Sequence, residues 1–114
     1  MNISQFLAQL QSQPNSISFQ QTMAVIEQHY DYCPTTFRNA DLVNRAGSNE
    51  GSCKLFAFAR LQGLTEAQTL ACFGDYYRQD VLTNPAGTDH ANIRNFMLTG
   101  WQGIDFDAPA LVAK

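Results

Sequence analysis

Apolar side chains recur every three or four residues along most of the chain, which is the spacing of one face of an α-helix. Segments with this spacing, which we call apolar stripes, lie at residues 3–10, 19–30, 53–61, 70–81 and 93–97. The third of them is apolar on almost all sides, which is typical of the central helix of a domain. The pattern therefore predicts a mainly α fold, a single compact domain over residues 1–114 with about five helices.

Residues at the ends of these stripes predict where the helices begin and end. Ser18 with Gln21, and Thr65 with Gln68, have the spacing of capping boxes. Pro34 is expected to end the second helix, because the residue before a proline disfavours the α conformation. Each of these signals is local and fixes one boundary.

Two features of the second half of the chain refine the helices there. Gly74 lies inside the stripe at 70–81 and predicts a kink or a close helix contact. Thr88 or Asp89 can cap the last helix, and Gly100 is expected to end it. The inner face of that helix is predicted to consist of Ile93, Phe96 and Met97.

A small amount of β-structure is predicted at two places. The segment 35–38 is a candidate strand, and Ile104 and Phe106 alternate with Asp105 in a second one. We expect at most a two-stranded β ribbon formed by these two segments. The residues after Pro109 are expected to be loose.

The charge of the chain narrows the classes of partner. Its 114 residues include 7 Lys and Arg against 10 Asp and Glu, a net charge of −3 at pH 7. A nucleic-acid-binding protein needs clustered Lys and Arg, so nucleic acid is not expected as a partner. No apolar run is long enough to span a bilayer, so no membrane partner is expected either. The partner that remains to be expected is a protein or a small molecule, and no motif indicates a cofactor.

The cysteines bear on metal binding and on location. Cys33, Cys53 and Cys72 are widely spaced and form no C-x-x-C motif, so no metal site is predicted. The N-terminus lacks the pattern of a cleaved secretory signal. An odd number of cysteines in that setting favours reduced thiols and a cytoplasmic location.

The loop at 47–54 is the first candidate site. Its glycines do not have the spacing of a Walker loop, so a P-loop is excluded. Ser52 and Lys54 would lie in a first helical turn, where free N–H groups and the helix dipole favour anions. The alternative is that Ser48, Asn49 or Ser52 only caps the helix.

Cys53 is the candidate nucleophile. Its position beside Lys54 in a first helical turn would lower the pKa of its thiol and favour the thiolate. His90, oriented by Asp89 or Asn92, would complete the pair used by a cysteine-dependent hydrolase or transferase. The alternative is a buried, structural Cys53 and a solvated His90 next to a capping Asp89.

A candidate functional surface combines the loop with the start of the last helix. Arg78 and Asp80 are expected to point outward and to pair across helices with Arg94 or Asp89. The complete candidate surface is Asn49, Glu50, Ser52, Lys54, Arg78, Asp80, Asp89, Asn92 and Arg94.

Several segments together resemble one known family. They are NEGSCKLFAFA at 49–59, TEAQTLACFG at 65–74, YYRQDVL at 76–82, DHANIRNFM at 89–97 and GWQGI at 100–104. This combination resembles the HopJ type III effector family over nearly the whole chain. The resemblance implies a bacterial protein that is delivered to a host cell by type III secretion, and it implies no catalytic residues.

Three functions follow from the residues and the resemblance. The first is a small binding or interaction protein, acting as an effector on a host partner. The second is a cysteine-dependent enzyme using Cys53 and His90, and the third is a bacterial housekeeping protein that stays in the cytoplasm. Residues 1–20 are rich in Ser, Gln and Asn and carry no charge, which is typical of type III export segments. A first helix docked on the core would oppose export.

Overall fold

Residues 1–114 are described by a computed structural model with five α-helices, a π-helix and five short strands. The helices are α1 (Ile3–Ser12), α2 (Phe19–His29), α3 (Glu50–Leu61), α4 (Glu66–Ala71), the π-helix (Tyr76–Val81) and α5 (Ala91–Thr99). The strands are β1 (Tyr30–Tyr32), β2 (Phe37–Asn39), β3 (Leu42–Asn44), β4 (Ile104–Phe106) and β5 (Leu111–Ala113). Helices dominate as predicted, but two small sheets make the domain mixed α/β. None of the helices is long and apolar enough to cross a bilayer.

Strand β2 is the centre of a three-stranded antiparallel sheet with the order β3–β2–β4. Phe37 lies opposite Asn44 of β3 and opposite Phe106 of β4. The rings of Phe37 and Phe106 stack with their centroids 5.2 Å apart. The predicted pairing of these two segments is confirmed, and β3 is a third strand that the apolar pattern did not predict.

The second sheet pairs β1 with β5, the last strand of the chain. Asp31 lies opposite Val112, and Leu111 is only 5% exposed. The prediction that the residues after Pro109 are loose is therefore wrong. Helix α2 also ends at His29 rather than near Pro34, because the backbone of the next three residues pairs with β5 instead of continuing the helix.

Helix α3 lies at the centre of the core, as its apolar pattern predicts. Phe56 is fully buried, and its ring centroid lies 5.0 to 6.3 Å from four other aromatic rings. These partners are Phe37, Phe73, Phe96 and Trp101. Because they come from different parts of the chain, this aromatic cluster joins the sheet to the helices around it.

Helix α1 is docked on the same core. Phe6 and Leu10 are fully buried, and the Phe6 ring meets the edge of Phe58 with centroids 5.8 Å apart. A reciprocal capping box between Asn2 and Gln5 fixes the start of the helix. The predicted stripe at 3–10 therefore packs against the domain.

The stripe at 70–81 is divided between two helices. Helix α4 ends at Ala71, and Gly74 then adopts a φ of +63°, in the left-handed region that favours glycine. The chain continues as the π-helix, which buries Val81. The predicted kink at Gly74 is confirmed, and it places Tyr76 beside α2, where its ring meets Phe19.

Candidate functional site

Two helices begin at one cleft of about 450 Å³, which we call the helix-end cleft. Asn49 and Ser52, at the start of α3, line one side, and His90 and Asn92, at the start of α5, line another. Four of the residues predicted for a functional site are therefore brought together. Cys53 is not among the residues that line the cleft.

Neither of these helices has a side-chain cap. Asn49 and His90 occupy the N-cap positions with φ values of +50° and +51°, and no side-chain oxygen accepts from the first turn of either helix. The prediction that Thr88 or Asp89 caps the last helix is therefore wrong. Because the first N–H groups lack these acceptors and the helix dipole is positive at this end, the cleft favours an anionic or hydrogen-bond-accepting group.

Aromatic rings form the remaining wall of the helix-end cleft. Phe19 stacks on Phe73 with centroids 6.3 Å apart, and Tyr76 meets the edge of Phe19 at 5.1 Å. All three rings line the cleft. The cleft thus combines polar helix starts with a flat apolar surface, the mixture typical of small-molecule sites.

His90 is held in place by two side chains from the π-helix. Its Nε2 lies 2.9 Å from Asp80 Oδ2, and its ring centroid lies 5.2 Å from that of Tyr76. Asp80 was expected to pair with Arg94, so its partner differs from the prediction. A carboxylate on one ring nitrogen fixes the orientation of the imidazole and favours a proton on that nitrogen.

The start of α5 is anchored by a buried network of amides. Asn39 Nδ2 donates to the Asn92 carbonyl at 2.8 Å and to Asn92 Oδ1 at 3.1 Å. Asn44 and Asn92 exchange two further hydrogen bonds, at 3.1 and 2.9 Å. Asn92 was predicted on a functional surface, but only 6% of it is exposed, because its amide meets these strand residues.

The same network reaches the start of α3. Asn49 Nδ2 donates to Asn44 Oδ1 at 2.7 Å. The strands β2 and β3 therefore fix both helix starts through amide side chains. Asn39 and Asn44 were missed by sequence reasoning, although asparagine is depleted in strands and two of them at strand ends are a usable signal.

The inner face of α5 also differs from the prediction. Ile93 and Phe96 are buried as expected, but Met97 is 44% exposed. Asn92 takes the remaining inward position, because the amide network lies beneath it. A purely apolar criterion misses such a position, since a buried amide with partners replaces a side chain of the core.

Cys53 lies in the core rather than in the cleft. It is 1% exposed, and its Sγ donates to the Thr35 carbonyl at 3.6 Å. Burial raises the pKa of its thiol, so the sequence-based expectation of a lowered pKa beside Lys54 does not hold. The imidazole of His90 bonds Asp80 instead, so the structure does not bring Cys53 and His90 together as a catalytic pair.

The three thiols are expected to differ sharply in reactivity. Cys33 is exposed, whereas Cys53 and Cys72 are buried, and burial raises the pKa of Cys72 to about 12. A thiol reagent at neutral pH should therefore label one cysteine per folded molecule, because only an accessible thiolate reacts. Mass spectrometry of the labelled protein measures this, and a Cys33→Ser variant should take up no label until it is unfolded. Labelling of Cys53 in the folded protein would contradict the assignment.

Comparison with known proteins identifies the family. A family model described as "HopJ type III effector protein" matches residues 3–111. The chain belongs to the HopJ type III effector family. This HopJ family member is also similar to a crystal structure of a protein of unknown function, VPA0580, with 54% sequence identity and a TM-score of 0.98. That likeness covers 100% of this chain and 95% of the other. Comparison with curated proteins gave no match.

Two arginines of the predicted surface have structural contacts in this HopJ family member. Arg78 was expected to point outward, but its guanidinium donates to the carbonyls of Pro14, Ile17 and Ala71. It is therefore half-buried and ties the start of the π-helix to the chain before α2. It does not line the helix-end cleft.

Arg94 closes the loop before α5. Its guanidinium lies 2.6 Å from Asp89 Oδ1 and donates to the Asn84 carbonyl at 3.0 Å. This hydrogen bond holds the pKa of Asp89 below its usual range. Asp89 is thus occupied by Arg94 and supports the loop rather than capping the helix.

The other two charged residues of the predicted surface lie on α3 and do not line the cleft. Lys54 Nζ lies 3.5 Å from Glu27 Oε1 and 4.8 Å from the centre of the Tyr32 ring. Glu50 is exposed in the first turn of α3. No group of three His, Cys, Asp or Glu side chains in the chain is close enough to hold a metal ion.

Proposed function

We propose that this HopJ family member is a small binding protein whose ligand occupies the helix-end cleft. The observation that carries the proposal is the meeting of Asn49 and Ser52 with His90 at one cleft, although His90 lies about 40 residues further along the chain. The buried amides behind them hold both helix starts in place without a ligand. Such preorganisation lowers the entropic cost of binding.

The chemistry of the walls indicates the kind of ligand. Uncapped helix starts favour a carboxylate or a phosphate, on a small molecule or on a partner protein. The rings of Phe19 and Tyr76 favour a flat apolar group next to that anion. Phenyl phosphate combines both features and is therefore a suitable probe.

The two histidines of the chain allow a matched test. His90 lines the cleft, whereas His29 bonds the Met1 carbonyl at the end of α2. We expect His90→Ala to weaken the binding of phenyl phosphate about tenfold, or about 1.4 kcal/mol, because a ring that lines the cleft beside Tyr76 is lost. His29→Ala should bind with the affinity of the wild type in isothermal titration calorimetry. Equal affinities of all three proteins would show that the ligand does not use this cleft.

We also propose that the protein is delivered into a host cell by type III secretion, as an effector. The family description and the uncharged, amide-rich residues 1–20 support this proposal. Helix α1 lies within that segment and is docked through Phe6 and Leu10. Export therefore requires α1 to leave the core before or during passage.

A reporter fused to residues 1–20 tests the delivery. In this fusion α1 has no core to dock on, so we expect the reporter to be exported by a bacterium with a type III apparatus. The same fusion should stay inside a strain that lacks the apparatus. Retention of the reporter in both strains would contradict delivery and would favour a bacterial protein that acts in the cytoplasm.

A further inference from the structure

A second cavity, of about 320 Å³, lies between α3 and the chain that joins β4 to β5. We call it the C-terminal groove. Ala57 and Leu61 line it from α3, and Phe106, Ala108 and Leu111 line it from the other side. The small alanine side chains leave the space open. It shares no lining residue with the helix-end cleft.

One cation lies at the C-terminal groove, and it lacks an acidic partner. Arg60 lines the groove, and no carboxylate oxygen lies within 4.0 Å of its guanidinium. By contrast, Arg38 and Arg94 are both paired with aspartates. The charge of Arg60 is therefore available to an anion.

The guanidinium of Arg60 is also fixed in orientation. Its Nη2 donates to the carbonyls of Ile104 at 3.0 Å and Trp101 at 3.4 Å, and its Cζ lies 5.1 Å from the centre of the Trp101 ring. A held guanidinium loses less entropy when it takes up a carboxylate than a free one does, and its fork suits two parallel hydrogen bonds. The Asp105 and Asp107 carboxylates near β4 are occupied by Arg38.

We propose that the C-terminal groove binds a small molecule with a carboxylate and a short apolar tail. The tail lies along Ala57, Leu61 and Leu111, and the carboxylate meets Arg60. The volume is at the lower end of the range for small-ligand pockets, which suits a tail of medium length. This site is independent of the helix-end cleft and of the function proposed for it.

Octanoate and octanol test the two parts of this proposal. They share the tail, and only octanoate carries the charge. In titrations followed by ¹H–¹⁵N spectra we expect octanoate to bind at least about tenfold more tightly than octanol, because a charge-assisted pair is worth more than a neutral one. Arg60→Gln should reduce the affinity for octanoate to that for octanol.

Two further variants make the result unambiguous. Ala108→Trp fills the groove from an exposed position and should abolish binding without unfolding the domain. Arg45→Gln removes another arginine without a carboxylate partner, outside the groove, and should bind octanoate as the wild type does. The proposal is overturned if octanoate does not bind, if octanol binds equally well, or if the Arg60→Gln or Ala108→Trp variant, folded by circular dichroism, keeps the wild-type affinity.

Discussion

Replacing Asn92 by alanine is expected to lower the free energy of unfolding by about 3 kcal/mol, or about 1 kcal/mol for each hydrogen bond lost. The change removes the three hydrogen bonds of the Asn92 side chain to Asn39 and Asn44, whereas Asn39 keeps its bond to the main-chain carbonyl of residue 92. Only 6% of Asn92 is exposed, so solvent does not replace these bonds. Urea denaturation measures the difference as a shift of the midpoint.

Two comparisons separate the amide network from other effects of that change. Asn92→Leu keeps the branched shape of the side chain and removes its polarity, so it should also be clearly destabilised. Asn15→Ala removes an exposed amide outside the network and should change stability by less than about 0.5 kcal/mol. If Asn92→Leu were as stable as the wild type, the network would not hold the two helix starts together.

Replacing Gly74 by alanine is expected to lower the free energy of unfolding by about 3 kcal/mol, because backbone strain and a close contact add up. A residue with a side chain is strained by about 1–2 kcal/mol at the φ of +63° that Gly74 adopts. A Cβ at this position would also lie 2.7 Å from the backbone nitrogen of Phe19, which cannot move freely. Thermal and urea unfolding both report this loss.

Gly63 is a matched control for the strain alone. Its φ is +67°, but a Cβ there would meet nothing within 4 Å. Gly63→Ala should therefore lower the free energy of unfolding by only about 1 kcal/mol, because only the strain of the left-handed backbone is added. Equal losses for the two variants would show that the close approach of Gly74 to α2 contributes nothing to stability.

The elements that the sequence predicts well are those coded by neighbouring residues. The stripe containing Phe6 and Leu10 becomes α1, and the capping box of Thr65 with Gln68 starts α4. Periodicity and capping act within a few residues, so they can be read without the rest of the fold. Gly74 belongs to the same group, because a glycine inside a helical stripe is a local signal.

The pairing of β1 with β5 could not be predicted in this way. Tyr30 continues the apolar spacing of α2 and becomes a strand residue only because Ala113 from the far end of the chain pairs with it. Nothing in three-residue segments specifies so distant a partner. Tertiary pairing therefore overrides the local helical pattern at the end of α2.

The candidate site was predicted in part. The loop and the last helix start do meet, but the prediction placed Asn92 at the surface and Arg78 pointing outward. Burial depends on which elements cover a residue, and that is not encoded next to it. His90 was found because of its chemistry, whereas its partner Asp80 depends on where the π-helix lies.

Whether the helix-end cleft is the binding site is tested most directly by ¹H–¹⁵N spectra. We expect phenyl phosphate to shift the backbone amides of Gly51, Ser52, Ala91 and Asn92 together, with a single dissociation constant. Phenol, which lacks the anion, should shift them far less at the same concentration. Shifts confined to other parts of the chain would show that phenyl phosphate binds elsewhere, and equal shifts with phenol would show that the cleft does not recognise the anion.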